Sequence, residues 1–214
     1  MIGKAKSCKG GGSLFRYVIN DKKGYELMRN NLGGISPKEI SDNMSIIQGH
    51  NQRCNNNTIS IVLSPSLEDG KNLSNDKLKE ITTDFLNKMN LDPNNKQFIA
   101  FVHTEKNHKH IHILMNRVNF DGSLIKDSYI GKDAQRNAHE TALKHGLISA
   151  REVKIANERE REKSNLEIKK IIKIAHLTVL KEKPKNLEEY TSRMKDFGIQ
   201  VKPTINRQGN IQGF

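Results

Sequence analysis

The sequence predicts an α+β fold: a central, largely antiparallel β-sheet flanked by helices, followed by a charged helical C-terminal extension. Three observations support this prediction. Strand-like segments interleave with segments of helical periodicity. Two strand-like segments are joined by a short polar turn, which indicates a hairpin and hence an antiparallel sheet. The stretch 150–182 has the length and interleaved charges of one long helix.

The first half of the chain is expected to alternate strands and helices. Two strands are predicted, at 2–7 and 58–63, and a helix at 13–20 follows a glycine-rich turn. Ser36 and Glu39 form a capping box with a proline at the first helical position, so a helix begins there and ends near residue 48. A further helix is capped by Ser74, and its apolar stripe consists of Leu78, Ile81, Phe85 and Met89.

The second half begins with the hairpin, in which strands 97–103 and 109–118 are joined by the polar turn 104–108. Three helices are then expected, and they span residues 132–144, 150–182 and 187–196. Apolar residues alternate from residue 199 to the end. We expect a core domain at 1–149 and an extension at 150–214, in a chain that is a piece of a longer protein.

The composition excludes membrane-spanning and secreted classes. No run approaches the roughly 20 apolar residues of a membrane span, and the basic N-terminus has no apolar signal segment. The chain of 214 residues has two isolated cysteines, Cys8 and Cys54, which form neither a disulfide framework nor a Cys-x-x-Cys metal site. We expect a cytoplasmic protein without membrane insertion.

The charge is basic and concentrated at the two ends of the chain. The sequence has 36 Lys+Arg against 24 Asp+Glu, a net charge of +12. Residues 1–30 carry a net +5, residues 31–149 a net +1 and residues 150–214 a net +6. Such a balance is typical of proteins that bind a polyanion, with a merely well-solvated surface as the alternative.

Four of the eight histidines lie in the ten-residue stretch 103–112, which belongs to the predicted hairpin. His110 and His112 are two apart on a strand, so their side chains project from the same face. His103 ends the preceding strand, and the turn can bring it beside them. Three imidazoles in this pattern predict a site for Mn, Zn, Co or Ni, or for Mg where a phosphate adds oxygens. His108 has the same parity and is a possible substitute ligand.

A dication held by neutral histidines is a Lewis acid for a phosphodiester, and the basic flanks point to nucleic acid. The reaction then needs a nucleophile, which is either water or a side chain. Tyr17 lies in the most basic segment after the glycine-rich turn, although a tyrosine in such a helix is more often a core residue than a nucleophile.

The histidine block resembles the third motif of plasmid and transposon mobilisation relaxases, the Mob/relaxase family of HUH endonucleases. The matching residues are His103, Glu105, His110, His112, Asn116 and Arg117. The stretch 12–18 resembles the first motif of that family, in which the tyrosine is the nucleophile. Glu105 departs from the usual aspartate of the motif.

The resemblance implies an HUH relaxase-like sheet and an enzyme that nicks one DNA strand at an origin of transfer in bacteria. Tyr17 would form a 5′-phosphotyrosyl link, and Glu105 would assist as a catalytic carboxylate. A divalent ion, Mn or Mg first, would bind His103, His110 and His112. The partners implied are single-stranded or supercoiled DNA, accessory proteins and a coupling protein. The residues expected to contact DNA are Lys4, Lys6, Lys9, Arg16, Asn116 and Arg117.

Two other functions stay open at this point. One is a metal-binding DNA-binding or replication-initiation module without tyrosine chemistry. The other is a histidine-triad-like nucleotide hydrolase, which the stretch 108–114 superficially fits, although Lys109 stands where that class has an apolar residue. Because some HUH enzymes use a histidine nucleophile, His50 is a distant candidate for that role.

Overall fold

A computed structural model describes residues 1–104, 109–208 and 211–213 of the chain. Within these residues the chain forms seven helices and seven strands. In chain order they are β1 (Ile2–Cys8), α1 (Gly12–Val18), β2 (Gly24–Asn30), α2 (Pro37–Gln48), β3 (Thr58–Ser64), α3 (Leu67–Asn72), α4 (Asn75–Lys88), β4 (Phe98–His103), β5 (His110–Asn116), α5 (Ile130–Lys144), α6 (Ala150–Lys181), α7 (Leu187–Asp196), β6 (Thr204–Ile205) and β7 (Ile211–Gly213).

Five strands form one sheet in the order β1-β3-β5-β4-β2, and every neighbouring pair is antiparallel. The predicted α+β class with an antiparallel sheet and flanking helices is confirmed. The predicted hairpin is the β4–β5 pair, in which His103 lies opposite His110. Strands β6 and β7 pair separately.

The two faces of the sheet are covered differently. On the core face, Ile61 of β3 and Ile113 of β5 are fully buried against apolar residues of α4 and α5. Helix α5 approaches β1 so closely that a Cβ on Gly3 would lie 2.4 Å from the carbonyl oxygen of Ala134. On the opposite face, α1 and α2 pack over β4 and β5 through a smaller apolar cluster that includes Phe101. We call this second side the histidine face.

The helices over the histidine face begin where the sequence provides the right residues. Gly11 precedes α1 with a φ of 112°, a conformation that favours glycine. Helix α2 has the predicted capping box, because the Ser36 side chain accepts from the backbone N–H of Glu39 and the Glu39 side chain accepts from that of Ser36. Proline at the first helical position fixes the start of α2.

Two elements were not predicted from the sequence. Strand β2 has a bulge between Glu26 and Met28, which breaks the alternation of apolar residues. Helix α3 is only six residues long, contains Gly70 and is capped by the Ser66 side chain. Both are too short or too irregular to give a periodic apolar pattern.

The chain forms two compact units, Met1–Val153 and Lys154–Phe214. In the second unit, Ala175 and Val179 of α6 pack with Met194 of α7 in a small apolar cluster. The predicted domain boundary at 149/150 stays a prediction, because compactness alone does not establish independent folding. Within the described residues, no helix has both the length and the apolar character needed to cross a membrane.

Candidate active site

The β4–β5 pairing gathers histidines on one face of the sheet. His103 is the cross-strand partner of His110, and His112 is that of Phe101, so all four side chains project to the histidine face. The ring centroids of His103 and His112 are 4.2 Å apart, and those of His110 and His112 are 6.1 Å apart. The alternation of the strands therefore places the three predicted ligands together.

His103 is oriented by the end of α1. Its ring is 1% exposed, and its Nε2 lies 2.8 Å from the backbone carbonyl oxygen of Val18. A carbonyl oxygen only accepts, so Nε2 carries the proton and donates it. The Nδ1 of His103 is then the nitrogen with a lone pair, the state that a metal ligand needs. This orienting partner could not be predicted from the sequence, because it is a backbone atom 85 residues away.

Tyr17 reaches the same place from α1. Its neighbours Phe15 and Val18 are buried in the cluster under α1, whereas Tyr17 is 53% exposed. Its ring makes edge contacts with His103 and His112, at centroid distances of 6.0 and 6.1 Å. The Nζ of Lys23 lies 4.5 Å from the centroid of the same ring.

The structure thus brings together four of the predicted site residues: Tyr17, His103, His110 and His112. Glu105 and His108 lie outside the described residues. Tyr25, another tyrosine of the basic N-terminal segment, and His50, the distant candidate nucleophile, have partners elsewhere. The Tyr25 hydroxyl donates to Asn75 Oδ1, and burial raises the pKa of that phenol. His50 Nδ1 lies 3.2 Å from the carbonyl oxygen of Phe120.

The histidine cluster suits a divalent metal by its donor chemistry. Imidazole nitrogen is a good ligand for Mn, Co, Ni and Zn, and three neighbouring rings on one face are a sufficient donor set. In the described part of the chain, however, no group of three His, Cys, Asp or Glu side chains is arranged to hold a metal ion as it stands. The rings would therefore have to adjust for all three to bind one ion.

Lys4 and Lys6 extend the histidine face toward its uncovered edge. Lys4 pairs with Val62 on β3, and Val62 pairs in turn with His112 on β5. Lys6 pairs with Ser60 in the same way, and both lysines are exposed. Lys9, after β1, and Arg16, on α1, are also exposed. Lys4 and Lys6 therefore place positive charge on the histidine face.

Asn116 and Arg117 have partners inside the protein. The Asn116 amide donates to Met44 and Gln97 and accepts from the Val118 backbone, and the residue is 1% exposed. Arg117 forms an ion pair with Asp127 at 2.8 Å and donates to backbone carbonyls. These contacts give both residues partners inside the protein, and their contact with DNA stays a prediction.

The β4–β5 hairpin and α1 thus place a tyrosine beside clustered histidines on one face of an antiparallel sheet. A family model described as "Relaxase: MobA/VirD2-like, nuclease domain" matches residues 17–147, which is more than half of the chain. The chain therefore belongs to the Mob/relaxase family. No curated protein has a sequence that matches it significantly.

Family membership gives the chain a general function. It is a relaxase domain, with the DNA nickase activity and the role in mobilisation that characterise this family. Relaxases act on DNA at an origin of transfer and generally depend on a divalent metal ion. The histidine-triad hydrolase considered above is thereby set aside.

Proposed function

We propose that this domain nicks one DNA strand at an origin of transfer by transesterification to Tyr17, and so initiates mobilisation of a plasmid or transposon in the bacterial cytoplasm. The observation that carries the proposal is the contact of the Tyr17 ring with His103 and His112. A phenol beside clustered imidazoles on an open, basic surface combines a nucleophile with ligands for a phosphate-binding cation.

In the proposed reaction, the hydroxyl oxygen of Tyr17 attacks the scissile phosphorus in line with the departing 3′ oxygen. The P–O3′ bond breaks as the P–O bond to Tyr17 forms. The phenolic proton is lost to a base or water, and the 3′ oxygen takes up a proton to become a free 3′-OH. The phosphodiester is replaced by a phosphotyrosyl ester of similar energy, so the strand can later be rejoined.

His103, His110 and His112 would hold the divalent ion, with His103 oriented by its hydrogen bond to Val18. When bound, the ion supplies positive charge that neutralises the phosphate oxygens in the transition state. We infer that Mn or Mg is used, because the substrate phosphate adds oxygen ligands, and Zn, Co or Ni would also suit imidazole.

Glu105 follows His103 by two residues in the sequence, and we propose that its carboxylate assists catalysis by orienting an imidazole. Accepting the proton of Tyr17 is its less favoured role. Acidic partners of this kind are common around metal-bound histidines, where they fix the ring and increase its basicity.

The DNA must be unpaired near the nick, because the Tyr17 hydroxyl could not reach an in-line position within a closed duplex. We propose that Lys4, Lys6, Lys9 and Arg16 bind the backbone of this single strand, and that supercoiling helps to open it. Accessory proteins that melt the origin, and a coupling protein that receives the DNA, would complete the assembly.

The proposal is tested by an assay for a covalent protein–DNA adduct on a denaturing gel. The purified chain is incubated with supercoiled DNA that contains the origin beside its own gene, with Mn²⁺ or Mg²⁺. We expect a metal-dependent adduct with the wild-type chain and none with Tyr17→Phe, while DNA binding by the variant is retained. Tyr129→Phe is the matched control, because Tyr129 is also exposed, at 75%, on another part of the core.

Two outcomes would contradict the proposal. Cleavage without an adduct, unaffected by Tyr17→Phe, would show that water is the nucleophile and that the domain is a metal-dependent nuclease. The second outcome uses DNA whose origin is known to be nicked in cells. If the chain binds this DNA but cleaves it with none of the metal ions, a DNA-binding or initiation module is favoured.

A further inference from the structure

The Tyr17 ring has a charged neighbour that the reaction described above does not use. The Nζ of Lys23 lies over the ring, 4.5 Å from its centroid. A cation within about 6 Å of an aromatic centroid is attracted to the negative face of the ring. We propose that Lys23 is a positioning residue that holds the Tyr17 ring against His103 and His112; this role rests on the proposed function of Tyr17 as the nucleophile.

The position of Tyr17 explains why its ring needs such a contact. The side chain is 53% exposed, and the short helix α1 is anchored through Phe15 and Val18 rather than through Tyr17. A half-exposed aromatic side chain with two rotatable bonds can turn away from the histidines. The ammonium on the ring face limits this rotation, and the edge contacts with His103 and His112 limit it further.

The backbone of Lys23 is fixed to the strand that carries His103. Its carbonyl oxygen accepts a 2.7 Å hydrogen bond from the N–H of Thr104, the residue after His103, and its own N–H donates to Asn20. The next residue, Gly24, pairs with His103, and a Cβ there would lie 1.7 Å from the Val102 carbonyl oxygen. Only glycine permits this approach, so the backbone from which the Lys23 side chain extends is held next to His103.

A positioning role has a specific kinetic signature. Aiming the nucleophile lowers the barrier of the bound complex and does not by itself strengthen DNA binding. Loss of Lys23 should therefore lower the rate at saturating DNA and leave the dissociation constant nearly unchanged. A cation–π contact on a half-exposed ring corresponds to a loss of about two- to fivefold in rate.

The test compares Lys23→Ala, Lys23→Arg and the control Lys22→Ala. Lys22 is its exposed neighbour, so this control removes the same charge from the same turn. The substrate is a single-stranded oligonucleotide that spans the mapped nick. We expect Lys23→Ala to form adduct about two- to fivefold more slowly at saturation. Lys23→Arg should restore most of the rate, since guanidinium also binds ring faces, and Lys22→Ala should behave as wild type.

A second measurement does not depend on activity. With 3-fluorotyrosine in place of the four tyrosines, the ¹⁹F resonance of Tyr17 is identified by its loss in Tyr17→Phe. We expect Lys23→Ala, but not Lys22→Ala, to shift this resonance in the DNA-free protein. If the wild-type chain forms no adduct while the shift is seen, the contact is real and the nucleophile assignment is what fails.

Two results would overturn the role of Lys23. A larger dissociation constant for DNA in Lys23→Ala, with an unchanged rate at saturation, would make Lys23 a DNA-backbone contact instead. Equal losses in Lys23→Ala and Lys23→Arg, together with a lower melting temperature, would reduce its role to stabilising the turn.

Discussion

The two faces of the sheet differ in what they do, although the same strands form both. On β5, Ile111 and Ile113 point to the core face and are fully buried, whereas His110 and His112 point to the histidine face and are partly exposed. One residue along the strand separates a side chain that stabilises the fold from one that carries the proposed chemistry.

The difference follows from the extent of helix coverage. Helices α4 and α5 close the core face, and α5 contacts even the edge strand β1. On the histidine face, the apolar cluster with α1 and α2 draws its strand residues from β4 and β5, and Lys4 and Lys6 on the edge strand β1 stay exposed. A sheet covered more fully on one side than on the other supplies a packed support and an open surface for a long polymer.

The largest effect is expected from His112→Ala. Loss of this side chain removes a metal ligand and an edge contact of Tyr17, so adduct formation should fall by about a thousandfold or more, consistent with the several kcal/mol that a catalytic metal supplies. The affinity for Mn²⁺, measured by electron paramagnetic resonance, should fall as well. The melting temperature should change little, because His112 lies outside the apolar cores. Unchanged Mn²⁺ binding would remove His112 from the ligand set.

The reverse pattern is expected one residue away. Ile113→Ala leaves a cavity on the core face and should lower the free energy of unfolding by about 2–5 kcal/mol. Below the unfolding transition, the adduct rate per folded molecule should stay within about twofold of wild type. Urea denaturation and the gel assay measure the two quantities separately. A large loss of rate in fully folded protein would show that the faces are not independent.

A smaller effect is expected from the exposed lysines. Lys4→Ala and Lys6→Ala should each weaken binding of single-stranded DNA several-fold, and each lost phosphate contact should reduce the slope of log affinity against log salt by about 0.7. Lys79→Ala, an exposed lysine on α4 beyond the core face, is the control. Equal effects of all three substitutions would indicate general attraction by net charge instead of a defined DNA path.

Much of this organisation could be predicted from the sequence. The two-residue spacing of His110 and His112, together with a hairpin, was enough to place them on one face and to bring His103 opposite. The capping box gave the start of α2. Tyr17 is different, because its pattern alone favoured a core residue and the family resemblance supplied its role.

The features that escaped prediction depend on contacts between distant backbone segments. The bulge in β2 interrupts its apolar alternation, so the strand could not be predicted. The hydrogen bond of His103 to the Val18 carbonyl involves a backbone atom, which no sequence pattern indicates. Lys23 is one of many basic residues near the N-terminus, and its place over the Tyr17 ring arises only when the turn before β2 is fixed to Thr104. The partners of Asn116 inside the protein could not be read from its motif either.

The strand order also bears on how the active site is assembled during folding. Strands β4 and β5 are adjacent in the sequence, so their pairing closes a short loop and costs little chain entropy. His103 and His110 meet in this local hairpin, whereas α1 is joined to His103 across 85 residues. Local contacts generally form before distant ones. During folding, the histidines should therefore come together first and Tyr17 should join them late. The proposed cleavage of DNA would then become possible only once the fold is complete.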